Sequence, residues 1–157
     1  MEIELGGGTS SCHHPNVDVL TGDIKQDVRL GLPFENGSVS LIHSSDFFEH
    51  LTFQDGLALL GECARILTQD GKVDFTIPDM GTAFRFYNKG PGTGWNHDLE
   101  MCIYGDRSSE WQTHKAWYTP GLLKYIWEKE GWQVTLEHTE HGWPHQPKFK
   151  IIAWRPK

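Results

Sequence analysis

Acidic, hydroxyl and histidine side chains follow two short apolar runs of this chain, where β-strands are expected to end. Ser44, Ser45 and Asp46 come directly after VSLIH, with His50 close behind, and Asp79 follows VDFTIP. Because ligands of α/β folds bind at the carboxyl ends of the strands, these side chains should face a bound molecule. They can hold or remove a proton, which predicts acid–base chemistry. The candidate bases are Asp46, His50, Asp79 and His114.

A glycine triplet lies almost at the beginning of the sequence. The alternating run MEIEL predicts a strand that breaks at Gly6, Gly7 and Gly8, where the missing Cβ atoms would let the main chain approach a ligand. NVDVL predicts a second strand with Asp18 at its end. Only TSSCHHP separates the glycines from that strand, so the first crossover helix must be shortened or missing. A tight turn and a surface acid are the alternative interpretation of these residues.

The middle of the chain predicts one amphipathic helix and one long irregular segment. From Thr52 onward, Leu57, Leu60, Ala64 and Leu67 recur at helical spacing, and TQDG predicts the turn that ends the helix before strand VDFTI. Residues 80–117 are rich in glycine and aromatic side chains, which is typical of an irregular lid over a substrate.

The end of the chain predicts a second helix and a hairpin. Thr119 and Pro120 have the residue types of a helix start, and Gly131 that of a helix end. The runs WQVTLEH and KFKIIAW are joined too closely for a parallel crossover and should pair antiparallel. We therefore predict one α/β domain over residues 1–157, with a Rossmann-like, mostly parallel sheet and a C-terminal antiparallel hairpin.

Composition narrows the classes of function. A net charge of −7 argues against binding to nucleic acid, which depends on neutralising phosphates. The sequence has no apolar run of membrane-spanning length and no signal peptide, so a cytoplasmic protein without membrane contact is expected. Cys12, Cys63 and Cys102 are odd in number and widely spaced, which favours reduced thiols. A small molecule is the expected partner, and a homo-oligomer stays an open alternative.

Several segments in their order resemble class I S-adenosylmethionine-dependent methyltransferases. They are ELGGGT, the acidic end of NVDV, DVRLGLPFENGSVSLIHSSDFFEHL, ARILTQDGKV, VDFTIPD, IYGDRSS and HKAWYTPGLLKYIWEKEGW. The resemblance is to a small branch that begins almost directly at its glycine motif, and it spans nearly the whole chain. The residues that match cofactor positions of the family are Glu4, Gly6, Gly7, Gly8, Asp18, Asp27, Val28, Ser44 and Ser45.

The resemblance implies a role for each matched group. Glu4 would order the glycine loop and the methionine amino group, and Asp18 would accept hydrogen bonds from the ribose hydroxyls. Asp27 would contact the adenine amino group, and Ser44 with Ser45 would line the methionine end. The chain departs from the family at Ser10, Gly7 and Asp46, where glycine, cysteine and histidine are usual.

The implied activity is methyl transfer from S-adenosylmethionine to a small-molecule acceptor, with Asp46, His50 and His114 as candidate catalytic residues. One alternative is a non-catalytic partner subunit that binds the same cofactor. Another is a metal protein, for which the candidate ligands are His13, His14, His138, Glu140, His141 and His145. Their spacings match no zinc signature, so exposed loop histidines and no metal site are the favoured interpretation.

Overall fold

The computed structural model describes residues 1–9, 15–87, 95–138 and 147–156, and one sheet runs through them. Its strands lie in the order β3-β2-β1-β4-β5-β7-β6. They are β1 (Glu2–Leu5), β2 (Asn16–Asp18), β3 (Ile24–Lys25), β4 (Val39–Ser45), β5 (Leu67–Pro78), β6 (Gln133–His138) and β7 (Lys148–Trp154). Strands β1 to β5 pair in parallel, whereas β7 is antiparallel to both β5 and β6.

This architecture confirms the predicted Rossmann-like fold and its C-terminal antiparallel hairpin. Strand β7 inserts between β5 and β6, so the hairpin joins the sheet through its second strand. The connection from β1 to β2 spans residues 6–15, and its described residues form no helix, as the short sequence predicts. Residues 10–14 of that connection, with Ser10, Cys12, His13 and His14, lie outside the described residues.

The strand order reverses direction between β1 and β4. The chain moves from β1 outward to β2 and β3, then returns to β4 on the other side of β1. At such a reversal the connections leave in opposite directions, which opens a crevice at the carboxyl ends of the two central strands. Gly6 follows β1 and Asp46 follows β4, so both lie at this crevice.

No loop separates the first long helix, α1 (Phe53–Ile66), from strand β5. The prediction that the turn TQDG ends the helix was therefore wrong. The last hydrogen bond of α1 runs from the Leu67 N–H to the Cys63 carbonyl, and Leu67 already pairs with Val39 as the first residue of β5. The turn residues instead form an irregularity within β5. Val39 is opposite Leu67 and Leu41 is opposite Lys72, so one residue of β4 faces residues 68–71.

Residues 80–117 are more helical than their composition predicts. Helices α2 (Met80–Tyr87) and α3 (Trp95–Tyr104) occupy nearly half of the segment that the sequence predicted to be irregular. The glycine-rich stretch that suggested a lid is confined to residues 88–94, which lie outside the described residues. Asp79 caps α2, since its Oδ1 accepts a hydrogen bond from the Thr82 N–H at 3.1 Å.

Helix α4 (Pro120–Lys129) confirms the second predicted helix and its start. Thr119 accepts a hydrogen bond from the Leu122 N–H, and proline occupies the first turn, where its missing N–H costs nothing. Gly131 follows the helix with a φ of +86°, a conformation in which glycine avoids the steric strain of a side chain. None of the described helices has the length and apolarity needed to cross a membrane.

An aromatic cluster between the sheet and α4 centres on Phe48. Its ring lies 5.5 to 5.8 Å from the rings of Phe75, Tyr118 and Trp127. All four side chains are buried, and each such aromatic contact adds about 0.5–1.5 kcal/mol beyond the area it buries. Phe48 therefore fixes the position of the short 3-10 turn Phe48–His50 against the core. Cys63 and Cys102 are both buried.

Gly105→Ala should destabilise the protein by at least about 2 kcal/mol. Gly105 has a φ of +69°, and an added Cβ would lie 2.1 Å from the Gln112 carbonyl oxygen, which belongs to backbone and cannot rotate away. Gly61→Ala is the matched control, because no atom of residues 1–9, 15–87, 95–138 or 147–156 lies within 4 Å of its Cβ position in α1, and alanine should add about 0.5–1 kcal/mol of stability there. Urea unfolding checks both changes. Equal stability of the two variants would contradict the described backbone at Gly105.

Candidate active site

The glycine loop after β1 is held by the side chain of Asn16. Its Oδ1 accepts a hydrogen bond from the Gly7 N–H at 3.1 Å, and its Nδ2 donates to the Gly8 carbonyl at 3.0 Å. The Gly6 N–H bonds to the Val17 carbonyl, which continues the sheet into the loop. Asn16 is buried, so these hydrogen bonds are shielded from water. The loop is thus a fixed turn whose glycines need no ligand to order them.

Gly6 is required at its position for two reasons. Its φ is +69°, and an added Cβ would lie within 3 Å of three atoms of the Phe47 side chain. Phe47 therefore packs directly on the backbone of the first loop. Gly8 also has a positive φ, of +55°, but none of the described residues has an atom within 4 Å of its Cβ position, which leaves space among them over that part of the loop.

Asp18 is the last residue of β2, and one of its carboxylate oxygens binds the backbone of the turn that follows. Oδ1 accepts hydrogen bonds from the N–H groups of Leu20 and Thr21, at 2.7 and 2.9 Å. Within the described part of the chain, Oδ2 accepts no hydrogen bond. The turn thus orients the carboxylate and leaves one oxygen available to a ligand.

Asp27 follows β3 and is engaged by an arginine two residues later. The Arg29 Nε lies 2.9 and 3.0 Å from the two carboxylate oxygens, and its second amino group lies 2.7 Å from Oδ2. This ion pair holds the pKa of Asp27 below its usual value. The guanidinium of Arg29 in turn lies 4.8 Å from the centre of the Trp111 ring. Asp27 therefore acts first as the anchor of Arg29.

A cleft at the strand-order reversal joins these groups. The free space between its walls amounts to about 660 Å³, with the open solvent at its mouth included. Its predicted members are Gly6, Asp18, Asp27, Val28, Asp46 and His50, together with Trp111 from the predicted aromatic segment 80–117. The others are Val17, Val19, Leu20, Gln26, Arg29, Phe47, Leu51, Gln112 and Lys115. Glu4, Gly7, Gly8, Ser44, Ser45 and His114 do not line it directly.

Asp46 is held by a lysine from the C-terminal hairpin. The Lys148 Nζ donates to its Oδ2 at 2.6 Å, and the Ser45 hydroxyl donates to the same oxygen at 3.3 Å. The backbone of Asp46 adopts a φ of +52°, which is uncommon for a residue with a side chain.

Two other predicted site residues have structural positions. Ser44 is buried in β4, and Asp79 is buried at the start of α2. The two carboxylate oxygens of Asp79 accept hydrogen bonds from the backbone and the hydroxyl of Thr82. Asp79 therefore serves as a helix cap rather than as a base in the cleft.

Glu49, His50 and His114 meet at the inner end of the cleft. One ligand-type atom from each lies within 4.8 Å of the other two. His50 reaches the cleft wall, and His114 lies behind it with the ring centres 4.8 Å apart. The Glu49 Oε1 is 3.9 Å from the His114 Nε2, which is too long for a hydrogen bond.

Backbone hydrogen bonds hold this cluster in place. The Glu49 carbonyl accepts from the N–H groups of Lys115 and Ala116, which docks the segment after α3 onto the turn Phe48–His50. The His50 Nδ1 donates to the Thr113 carbonyl at 3.2 Å, and the His114 Nδ1 donates to the Cys102 carbonyl at 2.8 Å. Because a carbonyl only accepts, each Nδ1 carries the proton.

Burial shifts the pKa values of all three groups toward their neutral forms. It raises the pKa of Glu49 to about 8, with a further contribution from the Asp46 carboxylate. It lowers the pKa of His50, which His114 lowers further, and it lowers the pKa of His114. Near pH 7, each imidazole is therefore neutral with a lone pair on Nε2.

The sequence analysis predicted some of the residues of this cleft and missed others. It predicted His50 and His114, and for Glu49 it weighed a helix cap or an ion pair about equally with a ligand role. It missed Asn16, Phe47, Arg29, Gln112 and Lys115. The pattern Asp27, Val28, Arg29 was a usable signal for a local ion pair, since an acid two residues before an arginine can pair with it.

Three comparisons with known proteins bear on this site. Residues 8–75 match the family model of a methyltransferase domain, whereas no curated protein sequence matches the chain. A methyltransferase of Methanosarcina mazei aligns with a TM-score of 0.65 at 12% identity, over 99% of this chain and 92% of that one. A methyltransferase of Archaeoglobus fulgidus gives 0.68 at 15%, over 98% and 85%.

A third solved structure contains ligands. It is the 1,6-didemethyltoxoflavin-N1-methyltransferase of Burkholderia thailandensis with bound 1,6-didemethyltoxoflavin and S-adenosylhomocysteine. It aligns with a TM-score of 0.69 at 9% identity, over 99% of this chain and 71% of that one. At such identities the structural likeness establishes the fold.

The difference in free energy of unfolding between Glu49→Gln and the unchanged protein should shift in favour of the variant as pH rises from 5 to 8. In that range the unfolded carboxyl is ionised, while the folded one, with a pKa of about 8, stays largely protonated. The folded state therefore binds more protons, and its stability falls with rising pH. Glutamine removes this effect, so the stability difference should change by on the order of 3 kcal/mol.

Urea unfolding at both pH values in buffer containing EDTA measures this difference. The histidines are the same in both proteins, so their own pH dependence largely cancels. Glu128→Gln, at an exposed position of α4, is the control and should show no such trend. A pH-independent difference for Glu49→Gln would mean that Glu49 is not held in an apolar environment.

Proposed function

We propose that this chain is a class I S-adenosylmethionine-dependent methyltransferase and that it methylates a small-molecule acceptor bound in the cleft. The observation that supports this most is the meeting of a glycine turn, an oriented acid and a histidine cluster at the strand-order reversal.

The described residues fit the chemistry of this cofactor, which has a ribose, an adenine and a charged methionine tail but no phosphate. Asp18 would accept from the ribose hydroxyls through Oδ2, because its other oxygen is already used by the turn. The open space at Gly8 and the bare backbone at Gly6 would admit the methionine tail. Glu4 is buried beneath this loop and would support it from the sheet side.

The adenine of a bound cofactor would lie on the other side of Asp18. Val28 is buried at the cleft wall and offers an apolar surface for a planar ring. Asp27 anchors Arg29 under Trp111, so the acid would shape the adenine pocket and would contact the amino group only with its remaining lone pairs. We propose that Trp111 and Arg29 close this end of the cleft.

Bound S-adenosylmethionine supplies an electrophilic methyl group on a sulfonium centre. The chain must then hold the acceptor atom in line with that group and take up its proton if it carries one. His50 is the member of the histidine cluster that lines the cleft, and Asp46 lies across from it beside Lys148. We assign acceptor binding and activation to the cluster of Glu49, His50 and His114, and assign Asp46 to the shape of the cleft.

Asp18→Asn and Asp18→Ala should weaken binding of S-adenosylhomocysteine by about 1–3 kcal/mol, or roughly 5- to 150-fold. Asparagine keeps an oxygen for the N–H groups of Leu20 and Thr21 but loses the charge, so it separates ribose recognition from the structure of the turn. Calorimetric titration measures the affinity. Asp70→Asn, an exposed position in the β5 irregularity, is the control and should bind normally.

Two results would count against the proposal. No binding to the unchanged protein would remove the methyltransferase function, and full affinity in both Asp18 variants would remove Asp18 from the site. If binding is found, transfer of labelled methyl from S-adenosylmethionine to a panel of small hydroxyl-bearing and nitrogen-bearing compounds tests the reaction itself.

A further inference from the structure

We propose that Glu49, His50 and His114 bind a divalent transition-metal ion at the inner end of the cleft. This inference deepens the proposed methyltransferase function, because it names how the acceptor would be held. Two imidazoles and one carboxylate are a common ligand set for such ions, and they leave coordination positions open for a substrate. Within the described parts of the chain, these three residues form the one group with metal-ligand spacing.

The orientation of both histidines is the first argument. Each Nδ1–H donates to a backbone carbonyl, His50 to Thr113 and His114 to Cys102. Histidines that bind metals are generally held in this way, because a hydrogen bond at one ring nitrogen fixes the lone pair on the other. The Nε2 of His114 is the ring nitrogen that faces Glu49.

The carboxylate of Glu49 is the second and independent argument. Only 1% of the residue is exposed, and both carboxylate oxygens lack a hydrogen-bond partner among residues 1–9, 15–87, 95–138 and 147–156. A buried carboxyl without a partner is costly in either protonation state, because the ionised form needs donors or a cation and the protonated form needs an acceptor. A metal ion would satisfy it.

The spacing permits one ion to reach all three ligands. The centre of an equilateral triangle with sides of 4.8 Å lies about 2.8 Å from each corner, which bounds the distance from a common point to these atoms. Metal–nitrogen and metal–oxygen bonds to such ions are ~2.0–2.2 Å long. Each side chain would have to move by less than about 1 Å, which is within the range of small rotations of side chains.

An alternative role, in which the carboxylate orients a histidine base, has less support. That arrangement needs a hydrogen bond from the imidazole to the carboxylate. Here the backbone carbonyls already accept both Nδ1–H groups, and the Glu49 oxygen is 3.9 Å from the His114 Nε2. The Glu49 carboxyl and the His114 Nε2 therefore share no hydrogen bond.

The site also restricts the acceptor. His50 brings the ion to the cleft wall, beside Gln112 and Lys115. An ion there would favour acceptors that present oxygen or nitrogen atoms as ligands, in particular compounds with two such atoms placed for chelation. A purely apolar acceptor would gain nothing from this end of the cleft.

Zn²⁺ titration of chelator-stripped protein tests the proposal. The unchanged protein should bind one equivalent, and Glu49→Gln should bind at least tenfold more weakly at that site. Glu49→Gln keeps all nine histidines of the chain, so adventitious binding to histidines elsewhere is unchanged between the two proteins. Glu128→Gln makes the same chemical change on the surface and should bind like the unchanged protein.

Two further measurements make the outcome decisive. Co²⁺ should give visible absorption bands with the unchanged protein and lose them in Glu49→Gln, because the bands report a low-symmetry site. His114→Gln repeats the test if Glu49→Gln does not fold. Equal Zn²⁺ affinity in the unchanged protein and the cluster variants, or no binding at all, would overturn the metal site.

The same protein also separates this inference from the proposed function. Binding of S-adenosylhomocysteine without Zn²⁺ binding would retain the methyltransferase proposal and overturn the metal site. Binding of Zn²⁺ at the cluster without S-adenosylhomocysteine binding would support the metal site and overturn the methyltransferase proposal.

Discussion

The packing of Phe48 in the aromatic core is the constraint on which the functional cluster depends. Its ring contacts Phe75 of the sheet, Tyr118 before α4 and Trp127 within α4, so three parts of the fold meet on one side chain. Glu49 and His50 are the next two residues of the same short turn. Once Phe48 is buried, the turn has little freedom, and it directs Glu49 inward and His50 toward the cleft.

Aromatic packing also fixes the opposite side of the cleft. Phe47 packs on Gly6, so the two neighbouring aromatic residues connect the glycine loop and the histidine cluster to the same core. Asn16 and Asp18 then use short, local hydrogen bonds to fix the loop and the turn. The polar groups of the cleft are thus positioned by rigid packing, as an active site requires if it is to avoid reorganisation during a reaction.

The sequence was informative where local chemistry decides the structure. Strand ends, the cap at Thr119 and the position of Asp18 follow from alternation, residue type and spacing over a few residues. It was uninformative where distant contacts decide. Glu49 is buried because the chain around Thr113 to Ala116 returns to cover it, and His50 bonds to a residue 63 positions away. The sequence analysis missed helix α3, because the glycine-rich stretch before it indicates an irregular segment.

The direct junction of α1 with β5 bears on how the length of this chain can change. One inserted residue in α1 would rotate everything beyond it by about 100°, and a one-residue slip in β5 would exchange its buried and exposed faces. Residues 68–71 should tolerate a change of length better than α1 or the rest of β5, because a single β4 residue lies opposite all four of them. Insertions and deletions should therefore accumulate at this irregularity, where an added residue leaves the register of Lys72 and all that follows intact.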